Sequence, residues 1–183
     1  MLEATNSQLS ALETYLQDQS SENSKHSDHL SLLALQVMHN LQYQHRWTGL
    51  EIHTKAPISG VPFPRPIISG LPPNRLYVHP DEQAQILKDE LERRDQRSDL
   101  RSEAGDEVSA LEAPQKEWVL PSHTREKWSL KRFAEVFDAM DAKPVDHHKA
   151  WDVCKRLVLA TVQDDSTVVY YFMSDGIVKP RQN

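Results

Sequence analysis

Four basic residues lie close together in the sequence, and these are Arg125, Lys127, Lys131 and Arg132. They flank the predicted start of a helix, where free backbone N–H groups also attract anions. Such a cluster could contact phosphates or the acidic loop of another protein, and a solvated helix face is the simpler alternative. The chemistry indicated is anion binding.

Two adjacent carboxylates, Asp164 and Asp165, stand between two strand-prone runs. The runs RLVLATV (Arg156–Val162) and TVVYYFM (Thr167–Met173) are rich in β-branched and aromatic residues, and residues 163–166 supply turn formers. This pattern predicts a β-hairpin with both carboxylates at its tip. Because Asp is a favoured turn residue, a solvated turn is the simplest interpretation of the pair.

Metal and cofactor chemistry finds little support in the sequence. His147 and His148 follow Asp146, but adjacent side chains in an irregular segment seldom converge on one ion, so we interpret them as a solvated loop. The single cysteine, Cys154, excludes an internal disulfide. The five glycines form no Gly-rich strand-to-helix turn that could hold a nucleotide. We therefore expect no metal and no cofactor.

Length and composition limit the class of protein. A chain of 183 residues fits one domain with tails. Its apolar fraction of 38% lies below the roughly 45–50% of an average globular chain, which indicates that part of it is unstructured. The formal net charge of -6 argues against binding nucleic acid by bulk electrostatics. No run approaches the ~20 apolar residues of a membrane span, so we expect a soluble, intracellular protein.

Composition also suggests boundaries within the chain. Residues 1–27 are predicted to be a flexible tail, in which Leu9, Leu12 and Leu16 could form one short helix. Residues 98–115 are acidic and weakly apolar and are predicted to be a flexible insertion. The predicted α/β domain extends over residues 28–183 and contains that insertion.

Apolar periodicity and turn signals predict the remaining elements. The expected helices are Asp28 to about Trp47, Asp81 to about Arg97, and Leu130 to Met140 with Ser129 as its N-cap. The expected strands are Leu50–His53, Arg75–His79 and Lys116–Leu120. Six prolines between residues 57 and 73 argue against a regular ladder, so this interval is predicted to be an extended surface connection.

Both faces of the predicted hairpin are apolar, because Leu157 and Leu159 alternate with Val158 and Ala160. A hairpin with one wet face would alternate apolar with polar residues, so we expect a cover on each face. The Leu130 helix is the expected cover of one face. For the other face, a second chain and the helix that begins at Asp28 are equal alternatives.

The C-terminal run KRLVLATVQDDSTVVYYFMSDGIVKPRQN resembles the end of the small non-catalytic subunit, subunit fifteen, of the fungal-type, eukaryotic tRNA-splicing endonuclease. The order of the upstream elements agrees from about residue 28. The resemblance implies an α/β fold like the C-terminal domain of splicing endonucleases, with a central mixed sheet, flanking helices and a C-terminal β-hairpin. It also implies that the final strands of two subunits associate side by side, and that the acidic hairpin loop inserts into a basic pocket of a neighbouring subunit.

The resemblance assigns candidate residues. The partner interface would comprise Asp164, Asp165, Val168, Val169, Tyr170, Tyr171 and Phe172. Contact with RNA or with an acidic loop would involve Arg125, Lys127, Lys131, Arg132 and Lys155. Catalytic relatives use Tyr, His and Lys; Lys155 lies near the position of that lysine, and His79 and His123 are the histidine candidates. With this triad incomplete, we expect no catalytic residue.

The resulting hypothesis is a structural subunit that pairs with the catalytic subunit cutting the three-prime splice site. With the other subunits it would form a heterotetramer that removes introns from precursor tRNA. The alternatives are an active RNase of the same fold, alone or as a homodimer, and an adaptor that uses its hairpin without an RNA role. The expected location is the nucleus or, through the complex, the cytosolic face of the mitochondrial outer membrane.

Overall fold

The structure is a computed structural model, and it describes residues 28–97, 113–141 and 155–176. The predicted tail of residues 1–27, most of the insertion at 98–115 and the group at 146–148 lie outside the described residues. Within the described parts, no helix is long and apolar enough to cross a membrane.

Three helices and five strands make up the described part of the chain. The helices are α1 (Asp28–Tyr43), α2 (Pro80–Arg97) and α3 (Leu130–Ala139). The strands are β1 (Thr48–Lys55), β2 (Pro62–Leu71), β3 (Glu117–His123), β4 (Arg156–Val162) and β5 (Val168–Ser174). The strands form one mixed sheet in the order β1-β2-β3-β4-β5. Only β3 and β4 run parallel, and α3 lies in the long connection that a parallel pair requires.

The sheet is covered by one helix on each face, as its apolar pattern predicts. Leu157 packs with Val136 and Phe137 of α3, while Val158 on the opposite face packs with Leu41 and other residues of α1. The Asp28 helix of the same chain therefore covers the second face. A second chain is not needed to bury either face of β4.

The α3 helix forms as predicted, because its sequence carries both a cap and an apolar stripe. The Ser129 side chain accepts a hydrogen bond from the Arg132 N–H, and Val136 and Phe137 are buried. The hairpin of β4 and β5 is also confirmed, with unbroken pairing from Arg156↔Ser174 to Val162↔Val168.

The proline-rich interval was predicted wrongly as a surface connection, because residues 62–71 form β2 inside the sheet. Pro62, Pro64 and Pro66 occupy alternate positions, so the missing N–H groups all lie on one side of the strand. The pairing with β3 begins only at Ile68, beyond the last of these prolines. A proline run with a period of two is thus compatible with an internal strand that is partly paired.

Two other boundaries differ from prediction. Residues 75–79 form no strand; Tyr77 instead packs its ring 5.8 Å from that of Phe172. The first helix ends at Tyr43 rather than near Trp47, because Arg46 adopts a positive φ of 57° and the chain reverses. Trp47 is then buried beside Gly70, where a Cβ atom would lie 3.0 Å from the indole ring.

Candidate functional site at the C-terminal hairpin

The outer edge of β5 is an open and regular sheet edge. All seven residues of β5 pair with β4 without a bulge, and no described strand lies on the other side. The opposite edge of the sheet differs, since the pairing of β1 with β2 is interrupted between Thr48 and Glu51 and between His53 and Lys55. Bulges of this kind discourage further strand addition, so β5 is the edge that can accept another strand.

The side chains of β5 make this edge apolar. Tyr171 is 55% exposed and Phe172 is 47% exposed, although both are large aromatic residues. Val168, Val169 and Tyr170 are half-buried. Exposed aromatic residues on an unpaired strand are typical of protein interfaces, where they provide contact area at low entropic cost. The structure thus places five of the predicted interface residues on the edge strand, where their side chains alternate between the two faces of the sheet.

A groove of about 260 Å³ lies beside the same edge. Its lining residues are Leu41, His45, Trp47, Leu76, Val158, Tyr170, Tyr171 and Phe172. They come from the end of α1, from the turn that follows it, from the irregular segment before α2 and from the hairpin. No local sequence pattern predicted this groove, because its lining residues come from separate segments of the chain.

Tyr170 forms the inner wall of the groove and ties β5 to α1. Its hydroxyl group donates a hydrogen bond of 2.6 Å to Oδ1 of Asn40, and the His45 ring meets its ring edge-on at 5.1 Å. Burial raises the pKa of the Tyr170 phenol well above its usual value. The phenol is therefore a neutral structural donor.

The acidic turn is held by the chain itself. Oδ1 of Asp165 accepts a hydrogen bond of 3.0 Å from the Thr167 N–H, and this bond lowers the pKa of Asp165. Asp164 forms an ion pair with Arg125 and lies 3.3 Å from Nε2 of His123. Asp165 therefore shapes the turn, whereas Asp164 has an exposed intramolecular pair that another cation could replace.

The predicted basic cluster divides into two pairs. Arg132 bonds to Glu126 at 2.6 Å and stacks over Trp128, and Arg125 holds Asp164. Lys127 and Lys131 are exposed. Within this cluster, only Lys127 and Lys131 are exposed and form no ion pair with another described residue.

Lys155 completes the C-terminal end of α3. Its ammonium group donates hydrogen bonds of 2.6 Å to the Phe137 carbonyl and 2.7 Å to the Met140 carbonyl. The last carbonyl groups of a helix lack intrahelical partners, and a lysine there satisfies them and complements the helix dipole. This contact gives Lys155 a role in folding.

The two candidate histidines do not meet Lys155. Nδ1 of His79 accepts a hydrogen bond of 3.2 Å from the Asp81 N–H at the start of α2. His123 lies beside Asp164, at the other end of β4 from Lys155. Among the described residues, no group of three His, Cys, Asp or Glu side chains could hold a metal ion.

The sequence did not predict an ion pair between Arg65 and Glu126, which lies between β3 and α3. Arg65 of β2, whose side chain is 4% exposed, donates two hydrogen bonds of 2.7 and 2.8 Å to Glu126. Ser122 donates to Glu126 at 3.2 Å and accepts from the Trp128 indole at 2.7 Å. Burial opposes ionisation of Glu126, but the hydrogen bonds from Arg65 and Arg132 outweigh it and lower its pKa. Arg65 was not predicted to be buried, because it stands between Pro64 and Pro66 in the interval that was expected to be a surface connection.

A half-buried histidine was also missed. Nε2 of His53 is hydrogen-bonded to Ser69 Oγ at 2.7 Å, and its ring lies 5.0 Å from that of Trp118. Burial lowers the pKa of His53, which favours the neutral imidazole. His53 is a residue of β1, and two strands, β2 and β3, lie between it and the hairpin.

An α/β sheet with one regular, aromatic open edge is typical of a protein that assembles by strand addition. Comparison with known proteins specifies the family: residues 36–183 match the family model described as Sen15 protein. The chain belongs to this family, and the resemblance read from its C-terminal run is confirmed.

Named relatives agree with the family match. A Neurospora crassa protein described as probable tRNA-splicing endonuclease subunit tsp-1 is 44% identical over 168 residues, which cover 85% of this chain and 67% of the relative. A Schizosaccharomyces pombe protein described as probable tRNA-splicing endonuclease subunit sen15 is 26% identical over 179 residues, covering 93% and 95%. An Eremothecium gossypii protein described as tRNA-splicing endonuclease subunit SEN15 is 37% identical over 71 residues, covering 37% and 52%.

Proposed function

We propose that this chain is a non-catalytic structural subunit of the tRNA-splicing endonuclease and pairs with a catalytic subunit through β5. The observation that carries the proposal is the regular open edge of β5, with Tyr171 and Phe172 exposed along it. The names of its relatives supply the complex in which this edge would be used.

Strand addition at β5 would stabilise the complex through backbone hydrogen bonds and through burial of apolar side chains. The backbone N–H and C=O groups on the outer side of β5 would gain a ladder of hydrogen bonds, and the aromatic side chains would lose contact with water. The interruptions in β1 make the opposite edge of the sheet less suited to strand addition than β5. This difference favours pairing at β5 alone. The specific fold of splicing-endonuclease C-terminal domains is part of the same proposal.

The contacts of Lys155 support a subunit without its own active site. An ammonium group that donates to two helix-terminal carbonyls is held away from a phosphate, and His123 and His79 do not converge on it. General acid–base cleavage of RNA needs these groups within hydrogen-bond reach of one another through the substrate. The catalytic residues would then come from the partner subunit.

The acidic turn would make the second contact of the assembly. Asp164 is exposed and paired with Arg125, so it could exchange this cation for a basic pocket on a neighbouring subunit. Lys127 and Lys131 would offer positive charge to precursor tRNA or to an acidic loop. The heterotetramer would act in the nucleus or on the cytosolic face of the mitochondrial outer membrane.

The test is the light-scattering mass of the full chain, alone and mixed with the catalytic subunit that cuts the three-prime splice site. We expect a one-to-one heterodimer with the wild-type chain and none with Tyr171→Asp, because the new carboxylate would be buried without a partner. Ile58→Asp is the matched control, since Ile58 is exposed in the β1–β2 turn. A wild-type chain that ignores this partner, or equal binding by all three chains, would contradict the proposal.

A further inference from the structure

The groove beside β5 faces the side of the sheet that α1 covers. Tyr170 and Phe172 pair with Ala160 and Val158, whose side chains belong to the core shared with α1. Residues of a strand alternate between the two faces of a sheet. A strand added to β5 would therefore place every second side chain over this groove.

The chemistry of the lining defines what can enter. Leu41, Trp47, Leu76 and Val158 supply aliphatic and aromatic carbon, and among the described residues no Asp, Glu, Lys or Arg lines the groove. His45 adds one polar ring, which meets the Tyr170 ring edge-on. The hydroxyl of Tyr170 is already bonded to Asn40. An entering charge would lose its hydration against a mainly apolar lining that offers no described carboxylate, ammonium or guanidinium group as a counter-ion, so the lining favours an uncharged occupant.

The volume indicates a side chain rather than a free ligand. Pockets for small-molecule ligands usually measure about 300–1,000 Å³. A cavity of about 150 Å³ already holds a benzene ring. The groove, at about 260 Å³, therefore fits one or two large apolar side chains.

A second copy of this chain is a poor occupant. On the relevant face its own β5 would offer Tyr170 and Phe172, and both are already engaged. Tyr170 is bonded to Asn40, and Phe172 packs against the Tyr77 ring and lies 5.5 Å from the Arg156 guanidinium group. Neither side chain is free to enter a neighbour's groove.

We infer that the groove is a specificity pocket, which takes an aliphatic or aromatic side chain from an alternate position of the catalytic subunit's edge strand. This inference rests on the proposed function, because it takes the partner from it. Backbone pairing at β5 accepts almost any strand, whereas a shaped pocket for alternate side chains selects among strands.

The test fills the groove from two lining residues in separate segments of the chain, without adding charge. Leu76→Trp and His45→Trp each place a larger side chain where the occupant would sit. Leu87→Trp on α2 is the matched control, because Leu87 is 45% exposed, Leu76 is 38% exposed, and Leu87 does not line the groove. Melting of each isolated variant establishes that it folds; the use of two positions keeps the test valid if one variant does not.

The readout is the Kd for the catalytic subunit. We expect both groove-filling variants to weaken binding at least about tenfold, and the control to change it less than about twofold. Unchanged binding by a folded groove-filling variant would overturn the pocket while leaving the wild-type heterodimer, and thus the proposed function, in place. Loss of self-association with no effect on the heterodimer would overturn it in favour of a second copy. Absence of any wild-type heterodimer would overturn both proposals.

Discussion

The Tyr170 hydroxyl donates a 2.6 Å hydrogen bond to Oδ1 of Asn40, and this contact joins the edge strand of the sheet to the helix that covers it. Asn40 is buried, so its side-chain oxygen has little access to water if the donor is removed. The edge strand is thus anchored before any partner binds.

Tyr170→Phe should lower the free energy of unfolding by about 1–2 kcal/mol, because it leaves the Asn40 oxygen buried without a donor. Denaturant titration of the full chain measures the change. Tyr43→Phe is the control, since Tyr43 is exposed at the end of α1. Equal stability of the two variants would show that the Asn40 contact contributes nothing.

Lys155→Ala tests whether Lys155 has a structural role or a catalytic role. Loss of the two hydrogen bonds to the end of α3 should reduce stability by about 1–2 kcal/mol, while cleavage of precursor tRNA by the assembled enzyme stays near the wild-type rate. Lys88→Ala, which removes an exposed lysine of α2, is the control for the loss of charge. Abolished cleavage in a stably assembled complex would instead favour the active RNase.

Asp164→Lys tests whether the turn carries a separate contact. The substitution should weaken association into the heterotetramer and leave the pairwise heterodimer intact, because β5 lies outside the altered turn. Asp165 is left in place, since its bond to the Thr167 N–H shapes the turn. Sedimentation of the reconstituted complex measures both steps, with Asp138→Lys on the exposed face of α3 as the control. Loss of both steps, or of neither, would count against this division.

Glu126 should make stability depend on pH in the acidic range. Its pKa in the folded chain is lowered below the roughly 4.3 of an unfolded glutamate. The ion pair with Arg65 therefore stabilises the fold above that value, and this contribution is lost as pH falls through the folded pKa.

Glu126→Gln should flatten this acid limb and cost about 3 kcal/mol at neutral pH, because buried Arg65 loses its counter-ion. Unfolding free energies measured from about pH 7 down to pH 3 give both quantities. Glu135→Gln, an exposed residue of α3, is the control. If both variants keep the wild-type pH dependence, the Arg65 pair is not the cause.

The sequence predicted the elements whose patterns are local. The hairpin and α3 carry strong alternation or a cap beside an apolar stripe, and both formed as expected. β2 was missed because proline propensity is a local rule, whereas the one-sided pairing that tolerates Pro62, Pro64 and Pro66 is a property of the whole sheet. The run at residues 75–79 has strand-like composition but finds no strand to pair with.

In the candidate site too, features that depend on local sequence could be predicted, and features that depend on the fold could not. Residues 168–172 could be assigned to an interface because they are contiguous in one strand. The groove and the Arg65–Glu126 pair could not, since they join residues that lie far apart in the sequence. Lys155 lies close to the catalytic position that the resemblance implies, and only the fold reveals its contact with the end of α3.

The central claim is that the open edge of β5 receives a strand of the catalytic subunit. Amide hydrogen exchange of the full chain, free and in the heterodimer, tests it most directly. The account predicts that the outward N–H groups of residues 168–174 exchange rapidly in the free chain and become protected in the heterodimer, while exchange in β1 does not change. A heterodimer of the correct mass in which exchange in β5 is unaltered would contradict the account.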